Sequence, residues 1–449
     1  MPSSNFRSYF LSLSVLFLYN NNFLVAQQAD QRPNIIYIMA DDMGYADLSG
    51  YGRKDYQTPH LDKLAAQGVK FMNAYAAAPV CTPTRVAFMT GRYPARTEIG
   101  LREPWIPVKK DTAIGLAANQ SSVAVLVKKA GYETALIGKW HMGVLPQFSP
   151  RQNGFDYFFG IKVGAADYIS HRTDGGSAGL YENDSLIYAN GYLTELISAK
   201  AIEFLKRKHT DPFFLSIQFT APHWPWQGPG DKALSDTLPL NVTTMSATGS
   251  PAIYRAMIKS LDDEVGKIMQ VVEEAGLAGK TVVIFTSDNG GEKFSDMGMY
   301  KGMKMDLWEG GIREPAFVRW PGKIRENSIT HQVATTMDWT ATILSLAGTK
   351  PVRELPLDGI DLIPIITGRR KEQDRELYWR TFQRKQQKAV RDGKWKYLQD
   401  DKGREYLFDL AADPAEKNNL KDKEVKVFDL LKGKYALWET TVLKPVPLR

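Results

Sequence analysis

The sequence predicts an α/β fold: a large, mainly parallel sheet sandwiched by helices, followed by a smaller C-terminal α+β subdomain carrying an antiparallel sheet. Three observations carry that expectation. The runs Pro33–Ala40, Glu133–Gly138, Pro212–Phe219 and Lys280–Ser287 are apolar without clear alternation, the mark of strands buried on both faces. Stretches with helical spacing separate them, as parallel strands require. From about Arg375 the texture changes to short strand-like segments around Asp392-Gly393, a hairpin signal.

Residues 1–27 read as an export signal. Arg7 supplies a short basic region, Phe10–Tyr19 is apolar but too short to span a bilayer, and Leu24-Val25-Ala26-Gln27 offers a cleavage site after Ala26 or Gln27. No stable membrane insertion is expected. The main domain is placed at 32–372 and the C-terminal subdomain at 373–449. Cys81 is the only cysteine in 449 residues, so no internal disulfide can form, and export without disulfides points to a bacterial protein, periplasmic or secreted. The formal charge of +7 favours an anionic partner. No Lys/Arg block forms a nucleic-acid arm, so nucleic acid is not an expected partner.

In chain order, the first apolar strand ends in the adjacent carboxylates Asp41 and Asp42. Thr58-Pro59 opens a helix over His60–Gln67 that Gly68 closes. Cys81 precedes Thr82-Pro83-Thr84-Arg85, a helix start in which Thr82 can cap and Pro83 suits the first turn. Cys81 then sits at a helix N-terminus, where free N–H groups favour an anion, with Arg85 one turn along. Ser122–Ala130 reads as an amphipathic helix, and the strand after it delivers Lys139-Trp140-His141. A helix is expected over Thr194–His209, and the next strand delivers His223-Trp224. Ala252–Ala275 carries Met257, Leu261, Val265, Ile268 and Val272 on one face. The strand that follows delivers Asp288-Asn289-Gly290-Gly291. Asp338 begins a further helix, and Leu377–Arg380, Ala389–Tyr397 and Tyr406–Asp409 read as antiparallel strands. In open parallel sheets the ligand crevice lies outside the carboxyl ends of the strands. Residues between 41 and 304 can therefore meet at one site. Asp41, Asp42, Asp288 and Asn289 are oxygen donors, suited to calcium or magnesium rather than zinc.

The string Cys81-Thr82-Pro83-Thr84-Arg85, followed by a helix and Thr90-Gly91-Arg92, resembles the signature of the type I, formylglycine-dependent sulfatases of the alkaline-phosphatase-like superfamily. The likeness runs from Pro33 to about Leu420. It implies that a formylglycine-generating or anaerobic sulfatase-maturing enzyme oxidises Cys81 to formylglycine (3-oxoalanine), whose hydrate is the nucleophile. It implies a Ca2+ site made of Asp41, Asp42, Asp288, Asn289 and the modified residue 81. It also implies roles for four further side chains: Arg85 and Lys139 hold the sulfate, His223 and Lys304 assist the leaving oxygen, and His141 takes a proton from the hydroxyl left behind. Lys304 is preferred to Lys301 because it lies five residues before Glu309-Gly310-Gly311, the family's spacing.

The implied activity is hydrolysis of sulfate monoesters on a sulfated polysaccharide or oligosaccharide, of algal or glycosaminoglycan type, with release of inorganic sulfate. Gly138-Lys139-Trp140-His141 and the string Asn153–Gly160 look most like the N-acetylgalactosamine-6-sulfatase and arylsulfatase A-like branch. A phosphoester or phosphonate monoester hydrolase of the same superfamily, and a non-catalytic polysaccharide-binding protein, are the alternatives. His171, in a loop-like insertion, is a further candidate substrate contact. Sugar specificity is expected in loops 97–112, 162–185 and 224–250.

Overall fold

The computed structural model describes residues 1–2, 32–107, 112–118 and 121–447. The expected export segment lies outside the described residues apart from Met1 and Pro2. Residues from Arg32 onward form one compact unit. Among the described residues, no helix is long and apolar enough to cross a membrane.

One ten-stranded sheet dominates. Its strands are β1 (Asn34–Ala40), β2 (Val69–Phe71), β3 (Glu133–Gly138), β4 (Tyr157–Ile161), β5 (Leu180–Glu182), β6 (Ser185–Leu186), β7 (Phe213–Gln218), β8 (Thr281–Ser287), β9 (Ala316–Arg319) and β10 (Ser328–Thr330). They lie in the order β10-β2-β9-β8-β1-β7-β3-β4-β5-β6. The central strands β8, β1, β7, β3 and β4 are all parallel, and antiparallel pairs occur only towards the two edges. Among the described residues, the helices of seven or more residues are α1 (Pro59–Ala66), α2 (Cys81–Thr90), α3 (Val123–Lys129), α4 (Leu193–Lys206), α5 (Pro251–Glu274), α6 (Thr336–Leu346) and α7 (Val425–Glu439).

The apolar strands have no polar side because both faces are covered. On β1, Ile35, Tyr37 and Met39 enter one core with Val86 and Phe88 of α2 and Ile343 of α6. Ile36, Ile38 and Ala40 point the other way, against Leu61 of α1, Ile197 of α4 and Leu261 of α5. Tyr37 stacks on Phe88 with ring centroids 3.9 Å apart, fixing α2 over the sheet centre.

Two local expectations change. The helix predicted to run to His209 stops at Lys206, and Arg207 is already extended. His209 folds its ring back so that Nε2 lies 2.9 Å from the Phe204 carbonyl, occupying an acceptor that another helical turn would have used. Thr82 does not cap α2: the cap position is Val80, and Cys81 is the first helical residue. The Thr82 hydroxyl instead donates to the His141 carbonyl and accepts from the Trp105 amide, both at 3.2 Å.

The antiparallel sheet expected near the C-terminus is present as β11 (Glu376–Thr381), β12 (Gln387–Asp392), β13 (Trp395–Gln399) and β14 (Glu405–Asp409), with Gly393 in the left-handed region at the β12–β13 turn. It is joined to the larger sheet's layers by two apolar clusters. One groups Ala87 and Tyr93 with Val390, Tyr397 and Tyr435, and the other groups Tyr75 and Ile312 with Leu377 and Trp379.

Candidate active site

Register builds the site. Ala40 of β1 is level with Ser287 of β8, so Asp41 and Asp288 leave the sheet side by side. Gly138 of β3 is level with Gln218 of β7, which brings Lys139 and His141 to the same end as His223. Gly138 has φ +123°, and a Cβ there would lie 1.8 Å from the Gln218 carbonyl oxygen, so only glycine allows these strand ends to meet. The N-terminus of α2 places Cys81 and Arg85 over them.

The charged side chains interlock. Lys139 Nζ donates to Asp41 Oδ2 at 2.5 Å and Lys304 Nζ to Asp42 Oδ2 at 2.6 Å. Arg85 donates from Nε and Nη2 to Asp288 Oδ2 at 3.1 and 2.8 Å, and from Nη1 to Gln218 Oε1 at 2.9 Å. Asp42 takes φ +61°, its amide donates to Asp288 Oδ1, and its Oδ1 accepts from Asn289 Nδ2 at 2.7 Å. His223 Nε2 lies 3.5 Å from Asp42 Oδ2. All of these residues are buried, with Lys304, at 9% exposure, the most open. Burial and the neighbouring Asp288 push the Asp41 carboxyl well up. Burial also acts to raise Asp42, but Lys304, His223 and Lys139 outweigh it and hold the group near 2. Burial pushes the Cys81 thiol up to about 11, against the pull of Lys139 and Lys304. An unmodified thiol there is a poor nucleophile at neutral pH.

The donor set fits a hard divalent cation. Among the described residues, Asp41 Oδ1 and Asn289 Oδ1 are buried without a hydrogen-bond partner, and Arg85 Nη2 stands 3.7 Å from Asp41 Oδ1. Asn289 Nδ2 is already committed to Asp42 Oδ1 and to the Gly290 carbonyl, which leaves its oxygen as the unsatisfied atom. Asp41, Asp42 and His223 each offer a ligand atom within 4.8 Å of one another. Unpaired buried oxygens beside crowded carboxylates are what an oxygen-seeking cation satisfies. A second cluster, His60, Asp262 and Asp263, has another explanation: Asp262 accepts the His60 and Leu61 amides at 3.2 and 2.7 Å and thereby caps α1.

Comparison with known proteins matches the family model "Sulfatase" over residues 33–349 and a model of the N-sulphoglucosamine sulphohydrolase C-terminal region over 297–435. The chain belongs to the sulfatase family. It is 34% identical to N-acetylgalactosamine-6-sulfatase of Rattus norvegicus, over 76% of this chain and 67% of that one. The solved structure of Ps i-CgsB in complex with k-i-k-neocarrahexaose superposes with a TM-score of 0.82 at 27% identity, covering 93% of this chain and 95% of that one. A structure from Bacteroides thetaiotaomicron, tied to metabolism of multiple glycosaminoglycans, gives 0.73 at 25%, over 91% of this chain and all of that one.

In this sulfatase a cavity of about 380 Å³ opens onto Cys81, His141, His223 and Lys304. His141 takes φ +58°, and its Nε2 lies 2.9 Å from the Trp105 carbonyl. That contact makes Nε2 the donor and leaves Nδ1, which is buried and without a hydrogen-bond partner among the described residues, as the acceptor. Gly164 lines the cavity there, and a Cβ on it would come within 2.7 Å of the His141 ring. His223 Nδ1 lies 2.5 Å from the Trp224 carbonyl, which likewise turns Nε2 towards the site. Burial, with Lys139 and Arg85, lowers the affinity of His141 for a proton. Burial and Lys304 do the same to His223 despite Asp42. Lys301 lies elsewhere, its Nζ over the Trp308 ring at 3.4 Å.

His171 is placed differently from the other candidates. It is buried, and its Nε2 lies 3.0 Å from the Gly191 carbonyl, while Thr173 and Asp174 of the same loop line the cavity. Each loop expected to bear specificity contributes to the wall, through Trp105, Val163 and Trp224 among others. Two groups escaped the sequence reading. Gln218 looks like one more strand residue until its carboxamide is seen on Arg85, and Arg384 reaches the cavity from the β11–β12 turn.

Proposed function

We propose that this sulfatase hydrolyses a sulfate monoester on a sulfated carbohydrate through a formylglycine at position 81 and a calcium ion held by Asp41, Asp42, Asp288 and Asn289. One observation carries the reading. Cys81 opens α2 on the wall of a cavity where Arg85, Lys139 and Lys304 face Asp41, Asp42 and Asp288, and two buried oxygens, Asp41 Oδ1 and Asn289 Oδ1, have no hydrogen bond among the described residues. When present, the formylglycine hydrate would supply the nucleophile and calcium would polarise it.

The chain's own groups do the rest. The cations offset a charge build-up that buried carboxylates and a bound sulfate would otherwise make very costly. Arg85, locked by Asp288 and Gln218, presents its planar donors in one orientation. Lys304 and His223 stand together beside Asp42, where a proton can be delivered to the departing alcohol oxygen. His141 keeps Nδ1 as a base beside residue 81, because the Trp105 carbonyl holds the other ring nitrogen. Two similar solved structures are described as a complex with k-i-k-neocarrahexaose and as part of the metabolism of multiple glycosaminoglycans, which supports a saccharide as the alcohol.

The test is sulfate release by the purified, matured protein from defined sulfated oligosaccharides, alongside intact-mass measurement. Conversion of Cys81 to formylglycine removes about 18 Da, the balance of the atoms exchanged on oxidising the thiol. Release of sulfate by the converted form and none by Cys81→Ala is the expected result. A faster reaction on matched phosphate or phosphonate esters would overturn the substrate class. Saccharide binding without turnover in fully converted protein would overturn catalysis.

A further inference from the structure

Arg384 has no part in the chemistry above, yet it lines the cavity from outside the large sheet. It lies in the turn between β11 and β12, and that turn is fastened on both sides. Glu103 Oε2 accepts from the Phe382 and Gln383 amides at 2.8 and 3.0 Å, and Gln383 Oε1 accepts from the Glu103 amide at 2.9 Å. Lys385 pairs with Asp306 at 2.5 Å. Gln387 accepts from the Leu307 amide at 2.8 Å and donates to the Met305 carbonyl at 3.1 Å. Its neighbours are committed, but the exposed Arg384 side chain has no hydrogen bond or ion pair among the described residues.

The contrast with the inner cations is the informative point. Arg85, Lys139 and Lys304 each answer a carboxylate. Of the acids on the cavity wall, Glu292 lies 3.8 Å from Lys304, and Asp174 is exposed on another loop. A guanidinium with free donors, carried on backbone that is already ordered, is a receptor for a planar or trigonal oxyanion, because little ordering remains to be done on binding.

We propose that Arg384 binds a second anionic group of the substrate, a sulfate or carboxylate on the saccharide beyond the scissile ester, so that the preferred substrates are polyanionic saccharides. The inference rests on the proposed reading of the cavity as a sulfate-ester site. It adds a requirement that neither the inner cations nor the nucleophile imposes.

Three matched disaccharides test it: one with the scissile sulfate alone, one with a second sulfate on the neighbouring unit, and one with a uronate carboxylate there. The wild-type protein should prefer at least one dianionic probe, and that preference should shrink as salt is raised. In Arg384→Ala the ratio of kcat/KM for that probe to kcat/KM for the monosulfate should fall by about 10- to 100-fold, mainly through KM, the scale of a charge-assisted hydrogen-bonded pair. Arg384→Lys, which keeps the charge without the fork, should fall between the two. The probe that responds identifies the anion. Equal losses on all three probes, or none, would overturn the proposal.

Calorimetric binding to Cys81→Ala separates this inference from the reaction. If the wild type turns over none of the probes, yet Cys81→Ala binds a dianionic one about tenfold or more tightly than Cys81→Ala/Arg384→Ala does, the second-anion site stands and the reaction fails. Unchanged affinity in the double variant would overturn the second-anion site itself.

Discussion

Arg85 and Asp288 meet through a single oxygen, with Nε and Nη2 of the guanidinium both within 3.1 Å of Oδ2, and neither residue is more than 2% exposed. The pair ties α2, one turn past Cys81, to the end of β8, so the residue proposed to hold the sulfate also fixes where Cys81 sits. Arg85→Ala leaves a buried carboxylate unanswered. It should lower stability by about 3–5 kcal/mol in thermal or denaturant unfolding. Arg85→Lys keeps the charge but cannot reach Asp288 and Gln218 together. It should retain fold and formylglycine content while losing roughly 100-fold or more in sulfate release.

Gln218 is the neutral side of the same clamp. Its Oε1 accepts from Arg85 Nη1, and its Nε2 donates to Ser216 Oγ at 2.8 Å, so the amide orientation is set from behind. Gln218→Leu preserves size and removes both bonds. A buried donor left unmade costs about 1–3 kcal/mol. The kinetic expectation is a fall in kcat larger than the change in KM, because in the proposed reading the substrate would still meet Lys139 and Lys304 while Arg85 loses its alignment. If kcat and KM are both unchanged, Gln218 does not position Arg85.

The legibility of this site in the sequence follows from where each residue sits. Asp41, Lys139, His223 and Asp288 follow mainly apolar runs, and parallel strands with both faces covered leave only their carboxyl ends for chemistry. Their convergence could be argued before any contact was known. Cys81 and Arg85 carry a short motif with its own helix signal. Gln218 and Arg384 carry no such signal. Gln218 ends a buried strand in which a polar residue resembles an interruption, and Arg384 depends on how the β11–β12 turn docks against residues 103–107 and 305–307, a long-range fit that local pattern does not encode. Thr82 misled for a related reason. Its spacing suits a cap, but the hydroxyl is taken by partners at Trp105 and His141 that lie far along the chain.

Calcium should be visible without any turnover. Asp41 Oδ1 and Asn289 Oδ1 are buried at this site without a hydrogen bond among the described residues, so a bound cation relieves a cost that only the folded protein carries. Added calcium at about 100 times its Kd should raise stability by roughly 2.7 kcal/mol, read as a higher Tm, and a chelator should reverse the gain and abolish sulfate release. In Asn289→Ala the calcium-dependent rise should shrink, since one ligand is gone and its amide no longer braces Asp42. A Tm and turnover indifferent to chelator would remove the metal from the proposal.

Glu103 gives a pH dependence that can be worked out from one side chain. Its carboxyl is buried, and burial pushes it up to about 7, although the Phe382 and Gln383 amides and Arg380 pull the other way. The folded protein therefore binds this proton more tightly than the unfolded chain, whose glutamates titrate near their ordinary value of about 4.3. The sign follows: the contribution is fully present at low pH, is lost as pH rises towards about 7, and does not change further above that. Within the window one proton contributes a slope of up to about 1.4 kcal/mol per pH unit. Glu416, also raised to about 7, slopes the same way and the lowered Asp42 the opposite way, so the decisive quantity is the difference between proteins. Glu103→Gln keeps an acceptor for the two amides but cannot ionise. Its Tm should fall less than that of the wild type between pH 5 and pH 8, with the two curves converging at the acid end. Parallel curves would mean that Glu103 is ionised throughout, and that the β11–β12 turn bearing Arg384 is held by a carboxylate rather than a neutral acid.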